Sequence, residues 1–460
     1  MKYIKFSKGN VKKIACVLSF FVGIFITMPI VSFGIKGRNV SAYSILFIVF
    51  LCALTYIKIT IKRPLVLNKL SKYYLIWFVI AIFSSLVGMA FYSSRIEWVN
   101  AIYSYMGKIF MYMYFIFIVN SLENKKEIIY RYLNGFIVGC ILNLIWANID
   151  GISYYTLGYS INNSIFSRYS ELNPGRDFIS IINIGGIRVG GFNNDPAHLG
   201  GLIPIVAGYS VLKKNYLLTP IIIGALIFSQ STTALVSSIL VLIFLNLISL
   251  SHNKKRKLIS LKNRTSLFGI LLTPLLVFFG FYFYQSTLID AISGNLSGFI
   301  DRIDNNYISN ESTENIRNLY LLYFPVAIFN NGILSITGSG FGTSSAPYLK
   351  INEIYSHYNA FTPYDPENTY ISYFFDVGII GFLLYIYVLV SLIRYFRRNC
   401  SSDGNKIVFS SILGITFSCF FYHYILTAYQ VFAIISGCLL YNKNDLNISK
   451  KSLRESFEIK

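Results

Sequence analysis

The chain has 460 residues, of which 54% are hydrophobic and only 13% charged, with a mean hydropathy of +0.56. Soluble domains carry about 25% charged residues, so a soluble multidomain enzyme is excluded. Lysine and arginine exceed aspartate and glutamate by 40 to 20, an excess that in a soluble protein would point to nucleic acid. Where those charges sit points elsewhere.

Apolar blocks long enough to cross a bilayer fall at about 14–35, 40–57, 73–93, 99–119, 130–147, 197–212, 215–229, 231–250, 266–286, 368–393, 407–426 and 428–441. With both termini placed in the cytoplasm, the inner segments hold 30 basic and 6 acidic residues, the outer ones 9 and 13. This is the positive-inside pattern, so the basic excess reports topology and argues against a nucleic-acid partner. The expected fold is all-α: a polytopic integral membrane protein of about 12 transmembrane helices with two long outer (periplasmic) loops. Its parts are membrane helices 1–5 (1–147), a first periplasmic loop (148–196), helices 6–9 (197–286), a large periplasmic loop (287–367), and helices 10–12 with a cytoplasmic tail (368–460). The first apolar block has no small-residue cleavage site after it and reads as a retained anchor. Six cysteines lie in spans or on the inner side, so no disulfide framework is implied, and no Cys/His spacing suggests a metal.

Lys108 falls inside the expected fourth span. An ionisable group there is a functional candidate by default, although an ion pair with Asp376 of the tenth span would account for both residues. The first outer loop is rich in Gly, Asn and Ser and carries Arg168, Arg176 and Arg188. It ends in Arg188-Val189-Gly190-Gly191-Phe192-Asn193-Asn194-Asp195-Pro196-Ala197-His198. The glycines permit close backbone approach to a ligand, and Asp195-Pro196 suits a helix start. The Arg188 fork suits bidentate phosphate binding; pairing with Asp195 or a lipid headgroup is the alternative.

In the large loop, Ser312-Thr313-Glu314 reads as a start signal for a helical run through Ile328, and Asn330-Asn331-Gly332 as a turn. Arg317 is one of three basic residues among many acids there, so an ion pair with Glu311 or Glu314 competes with ligand binding. The cluster Gly338-Ser339-Gly340-Phe341-Gly342 follows. Glu367, in Asp365-Pro366-Glu367-Asn368, enters the tenth span, where a carboxylate can accept a proton from a sugar hydroxyl or simply complement the helix dipole. His357 and His423 read first as ordinary polar residues. The loop tyrosines suit either the membrane interface or the flat faces of sugars. No internal repeat marks the chain as a secondary transporter.

In order and setting, Arg188 to Pro196, Arg317, Gly338 to Gly342, and Glu367-Asn368 with Gly378-Ile379-Ile380-Gly381 resemble the O-antigen polymerase (Wzy-type) and O-antigen ligase superfamily. The resemblance implies a metal-independent membrane glycosyltransferase without a cofactor, in the bacterial inner membrane, acting on undecaprenyl-pyrophosphate-linked glycans. It implies a diphosphate held by Arg188 and Arg317, an acceptor hydroxyl served by Glu367, and inversion at the anomeric carbon. Arg176, Asp195, His198, Gly338, Gly340, His357 and Asn368 are the implied substrate-binding positions. Membrane lipid, a chain-length regulator and a flippase are the implied partners. Glu367 stands where ligases carry histidine, which favours a polymerase; His357 is the substitute base. A ligase transferring finished glycan to a lipid acceptor is the alternative, and a lipid-linked oligosaccharide flippase a further one.

Overall fold

A computed structural model describes residues 8–35, 38–60, 64–123, 125–166, 180–183, 186–193, 196–253, 320–349, 368–421 and 428–442. Helix α1 (Lys8–Phe25) is followed by an antiparallel hairpin, β1 (Ser32–Ile35) and β2 (Arg38–Ser41), with Ser32 opposite Ser41. Then come α2 (Ala42–Thr60), α3 (Lys69–Phe91), α4 (Ile96–Asn120), α5 (Lys125–Leu157) and the short α6 (Ile161–Ile165). A second hairpin, β3 (Ser180–Asn183) and β4 (Gly186–Val189), leads to α7 (Pro196–Lys213). A 3-10 turn (Tyr216–Leu218) opens α8 (Thr219–Ser229), and α9 (Thr232–Asn253) follows. Beyond these lie α10 (Phe324–Asn331), α11 (Leu334–Thr337), α12 (Thr369–Arg398), α13 (Asp403–Ser418) and α14 (Ala428–Leu440).

Helices α2, α3, α4, α5 and α12 are each long and apolar enough to cross a membrane, and the chain is a multi-pass membrane protein. Of the expected spans, 266–286 lies outside the described residues. The expectation of an all-α fold needs amending by the two hairpins. Strands of four residues are too short for their alternation to stand out from flanking apolar helix, so the expected first span runs on to 35 whereas α1 stops at Phe25. The helix expected over 407–426 likewise stops at Ser418. The ion pair expected between Lys108 and Asp376 does not form among the described residues. Lys108 lies exposed with its ammonium 4.8 Å from the Tyr105 ring centre, whereas Asp376 is wholly buried.

Small residues set how closely the helices approach, as expected where no hydrophobic effect drives helix association. Along the α1–α5 seam a methyl group on Gly135 would lie 1.9 Å from the Phe20 carbonyl, and one on Gly23 would lie 2.2 Å from that of Tyr132. Helix α14 lies among α3, α4, α5, α12 and α13. Its Phe432 ring sits 5.0–6.4 Å, centre to centre, from those of Tyr43, Phe47, Tyr112, Phe115 and Tyr132. At the other end of the spans, Lys213 bonds Asp403, tying α7 to α13 and holding the Asp403 carboxyl below its usual range.

The tenth expected span is not a continuous helix. Gly378 has φ 69° and ψ 174° inside α12, a backbone region open essentially to glycine alone. The break would strand carbonyls of the preceding turn. Ser339 and Gly340 supply the missing donors: their amides reach the Phe375 and Asp376 carbonyls, both at 2.9 Å. The segment 337–346, expected in an outer loop, is therefore packed inside the bundle. Ser84 Oγ of α3 donates to the Thr337 carbonyl at 2.5 Å, and Phe341 lies buried among Trp77, Tyr105 and Tyr373. Such irregular backbone is tolerated at membrane depth only where protein surrounds it.

A methyl group on Gly378 would meet the Ile336 carbonyl at 2.2 Å, whereas one on Gly107 of α4 would meet nothing within 4 Å. Gly378→Ala is therefore expected to cost at least about 1–3 kcal/mol and to lower the unfolding midpoint in detergent. Gly107→Ala should leave it unchanged. Equal midpoints for the two variants would refute the inserted-segment account.

Candidate functional site

Strand β4 carries Arg188, paired in register with Ile181 of β3. Its neighbours Ile187 and Val189 are fully buried while Arg188 is half-buried, the alternation a strand imposes. The Arg188 Nε points to the Ser229 carbonyl at 3.4 Å. That carbonyl belongs to the end of α8, which stops because Gln230 turns left-handed (φ 48°). Where α8 gives way to α9, Ser229, Gln230, Ser231 and Thr233 are buried, giving a polar floor beneath the guanidinium.

From this floor a chain of contacts leads to the second candidate segment. Thr233 Oγ1 donates to the Phe421 carbonyl at 3.5 Å. The adjoining Phe420 carbonyl accepts from Asn368 Nδ2 at 3.0 Å, and the Cys419 carbonyl from the Thr369 amide at 3.0 Å. The start of α12, 180 residues from Arg188, is thus brought to the same end of the bundle. Asn368 Oδ1 meanwhile accepts from the Tyr370 and Ile371 amides at 3.0 and 3.2 Å, so its side chain caps the helix.

The other positions singled out in the sequence fall in several places. His198 is half-buried in the first turn of α7, which starts at Pro196 as the motif implied. Gly338 and Gly340 lie in the inserted segment against α12; a methyl group on Gly338 would lie 2.5 Å from the Asp376 carbonyl. The expected Asn330-Asn331-Gly332 turn is present, with α10 ending at Asn331 and Gly332 at φ 56°. Arg176, Asp195, Arg317, His357, His423 and Glu367 lie outside the described residues. Among the described residues no cluster of three or more His, Cys, Asp or Glu could hold a metal ion.

Sequence reasoning missed the residues that hold the Arg188 loop in place, chiefly Asn143 and Asn162 with Asp150 and Trp146. The signal available was the presence of Asn143 inside a span, where a polar side chain needs a partner.

Residues 217–386, which is 170 of the 460, match the sequence profile of the O-antigen ligase family (Wzy_C). Residues 217–386 belong to the O-antigen ligase/polymerase superfamily. The matched stretch runs from the start of α8 into α12. It therefore contains the floor beneath Arg188, Arg317, the inserted segment and Glu367-Asn368, while Arg188 itself precedes it. No curated protein matches the chain. The match, together with the membrane-crossing helices, marks a multi-pass membrane enzyme of surface-glycan assembly.

The capping geometry gives a direct check on Asn368. Asn368→Ala is expected to cost about 1 kcal/mol, within the 0.5–2 range of lost caps, read as a lower unfolding midpoint. Asn368→Asp keeps the acceptor for both amides but sets an oxygen against the Phe420 carbonyl, so it should recover only part of that loss. Loss of activity in Asn368→Ala at an unchanged midpoint would instead assign the side chain to substrate.

Proposed function

We propose that the protein polymerises undecaprenyl-pyrophosphate-linked oligosaccharide repeat units into O-antigen or a related surface polysaccharide, at the periplasmic face of the bacterial inner membrane. The observation that carries this reading is the convergence of the Arg188 strand and the start of α12 on one polar end of the bundle. The family match over the elements beneath them supports it.

In this reading Arg188 and Arg317 grip the diphosphate of the donor and stabilise the charge that develops on it as it leaves. The acceptor hydroxyl oxygen attacks the anomeric carbon from the opposite side. The bond from that carbon to the diphosphate oxygen breaks, and configuration inverts. Glu367, one residue before the α12 cap, takes the hydroxyl proton. The growing glycan passes to the sugar end of a new lipid-linked unit, and undecaprenyl diphosphate departs into the membrane. A flippase supplying units and a regulator of chain length are the partners such a reaction needs.

A second reading has one observation in its favour: the matched family is described as O-antigen ligase. There, the same donor chemistry would deliver finished glycan to a lipid acceptor. A deletion strain separates the two. Loss of a polymerase leaves single repeat units on the surface lipid, and loss of a ligase leaves none.

Arg188→Ala and Arg317→Ala are each expected to abolish chain lengthening in a complemented deletion strain while the protein still inserts and accumulates. Normal polymer ladders on a gel from either variant would refute the diphosphate role. Glu367→Gln should reduce lengthening strongly, and full retention would transfer the base to His357 or to no side chain.

A further inference from the structure

Asn143 is fully buried on α5, and its carboxamide is used on both sides. The Nδ2 group donates to the Thr27 carbonyl at 2.8 Å and the Gly139 carbonyl at 3.1 Å, with Thr27 Oγ1 at 3.2 Å. The Oδ1 atom accepts from the Phe192 amide at 2.9 Å and from Asn193 Nδ2 at 3.1 Å. Only a group that donates on one side and accepts on the other fits this place. An aspartate would set an oxygen against two carbonyls, and a leucine would leave the Phe192 amide without its acceptor.

A second carboxamide holds the same turn from its opposite side. Asn162 Nδ2 donates to the Gly191 carbonyl at 2.7 Å, and its Oδ1 accepts from Trp146 Nε1 at 3.0 Å. Its own backbone amide donates to Asp150 Oδ1 at 2.9 Å, which also accepts from Ser160 Oγ at 2.9 Å. Between the two asparagines, Gly191 has φ 63°, and a methyl group there would lie 3.0 Å from both oxygens of Asn143. Phe192 stacks on Trp146 with ring centres 5.0 Å apart and planes 16° apart. Three successive residues, Gly191 to Asn193, are thus fixed from α5 and α6, and Asn143 is itself braced on the chain just after α1. Strand β4 runs directly into this turn, with Arg188 three residues before Gly191.

We infer that Asn143 and Asn162 are positioning residues for the diphosphate-binding guanidinium: they act on the reaction through the aim of Arg188. The inference rests on the reading of Arg188 given above. Holding a reacting group in register is worth large rate factors, and misplacement by about 1 Å can cost on the order of 100-fold. Both asparagines are fully buried. Each spends its polar atoms on protein partners, so its contribution must pass through the strand that it anchors.

The test uses the full-length protein in lipid nanodiscs with undecaprenyl-diphosphate-linked repeat units as substrate. Asn143→Ala and Asn162→Ala are each expected to lower kcat roughly 10- to 100-fold. Combined with Arg188→Lys, which is expected to retain part of the activity, each should add less than about threefold to the loss, because a misaimed lysine has little aim left to lose. Losses that multiply in the double variants would overturn the inference, since two independent defects multiply. So would full activity of both asparagine variants alongside an impaired Arg188→Lys. Full activity of Arg188→Lys and Arg188→Ala would overturn the parent reading itself and the inference with it. If Asn143→Ala fails to accumulate, Asn162→Ala, which leaves the α1–α5 contact intact, decides alone.

Discussion

A helix that breaks within a hydrocarbon layer needs replacement hydrogen-bond donors, because no water is there to supply them. That requirement governs the second half of this molecule. At Gly378 the α12 ladder is interrupted, and two amides, each 36 residues before the carbonyl it serves, complete it. The segment from Thr337 to Phe341 becomes part of the bundle wall. Helix α10, which precedes it, is consequently tied to the membrane-embedded core through α12.

The first half of the site meets the same requirement by a different route. Polar backbone of the Gly190–Asn193 turn is satisfied by side-chain amides projecting from α5 and α6. Backbone fills a gap in one case and asparagine side chains in the other. Both devices bring irregular chain against helices by giving its backbone groups hydrogen-bond partners. They leave two elements, a strand bearing an arginine and a helix start preceded by a glutamate, joined through the polar turn between α8 and α9.

Much of this was legible in the sequence. Apolar runs located the long helices, and the Asp195-Pro196 signal placed the start of α7 at Pro196, since proline loses nothing at a first helical turn. The Asn330-Asn331-Gly332 turn was equally plain. What escaped were features decided by tertiary contact. Gly378 looked like part of an apolar span, because hydropathy cannot show that a neighbouring segment will take over two carbonyls. The close approach of the glycines at 338 and 340 to α12 and α3 was likewise not legible. Asn143 and Asn162 carry no motif; their importance comes from partners 116 and 29 residues away.

The position of α14 has a consequence for how the protein is made. Every described helix packed against it, from α3 to α13, precedes it in the chain. During synthesis those helices are made first, and the rings of Tyr43, Phe47, Tyr112, Phe115 and Tyr132 gain Phe432 as a neighbour only after α14 has followed them. The aromatic cluster that joins α2, α4 and α5 is therefore finished by the last of the described helices to be made.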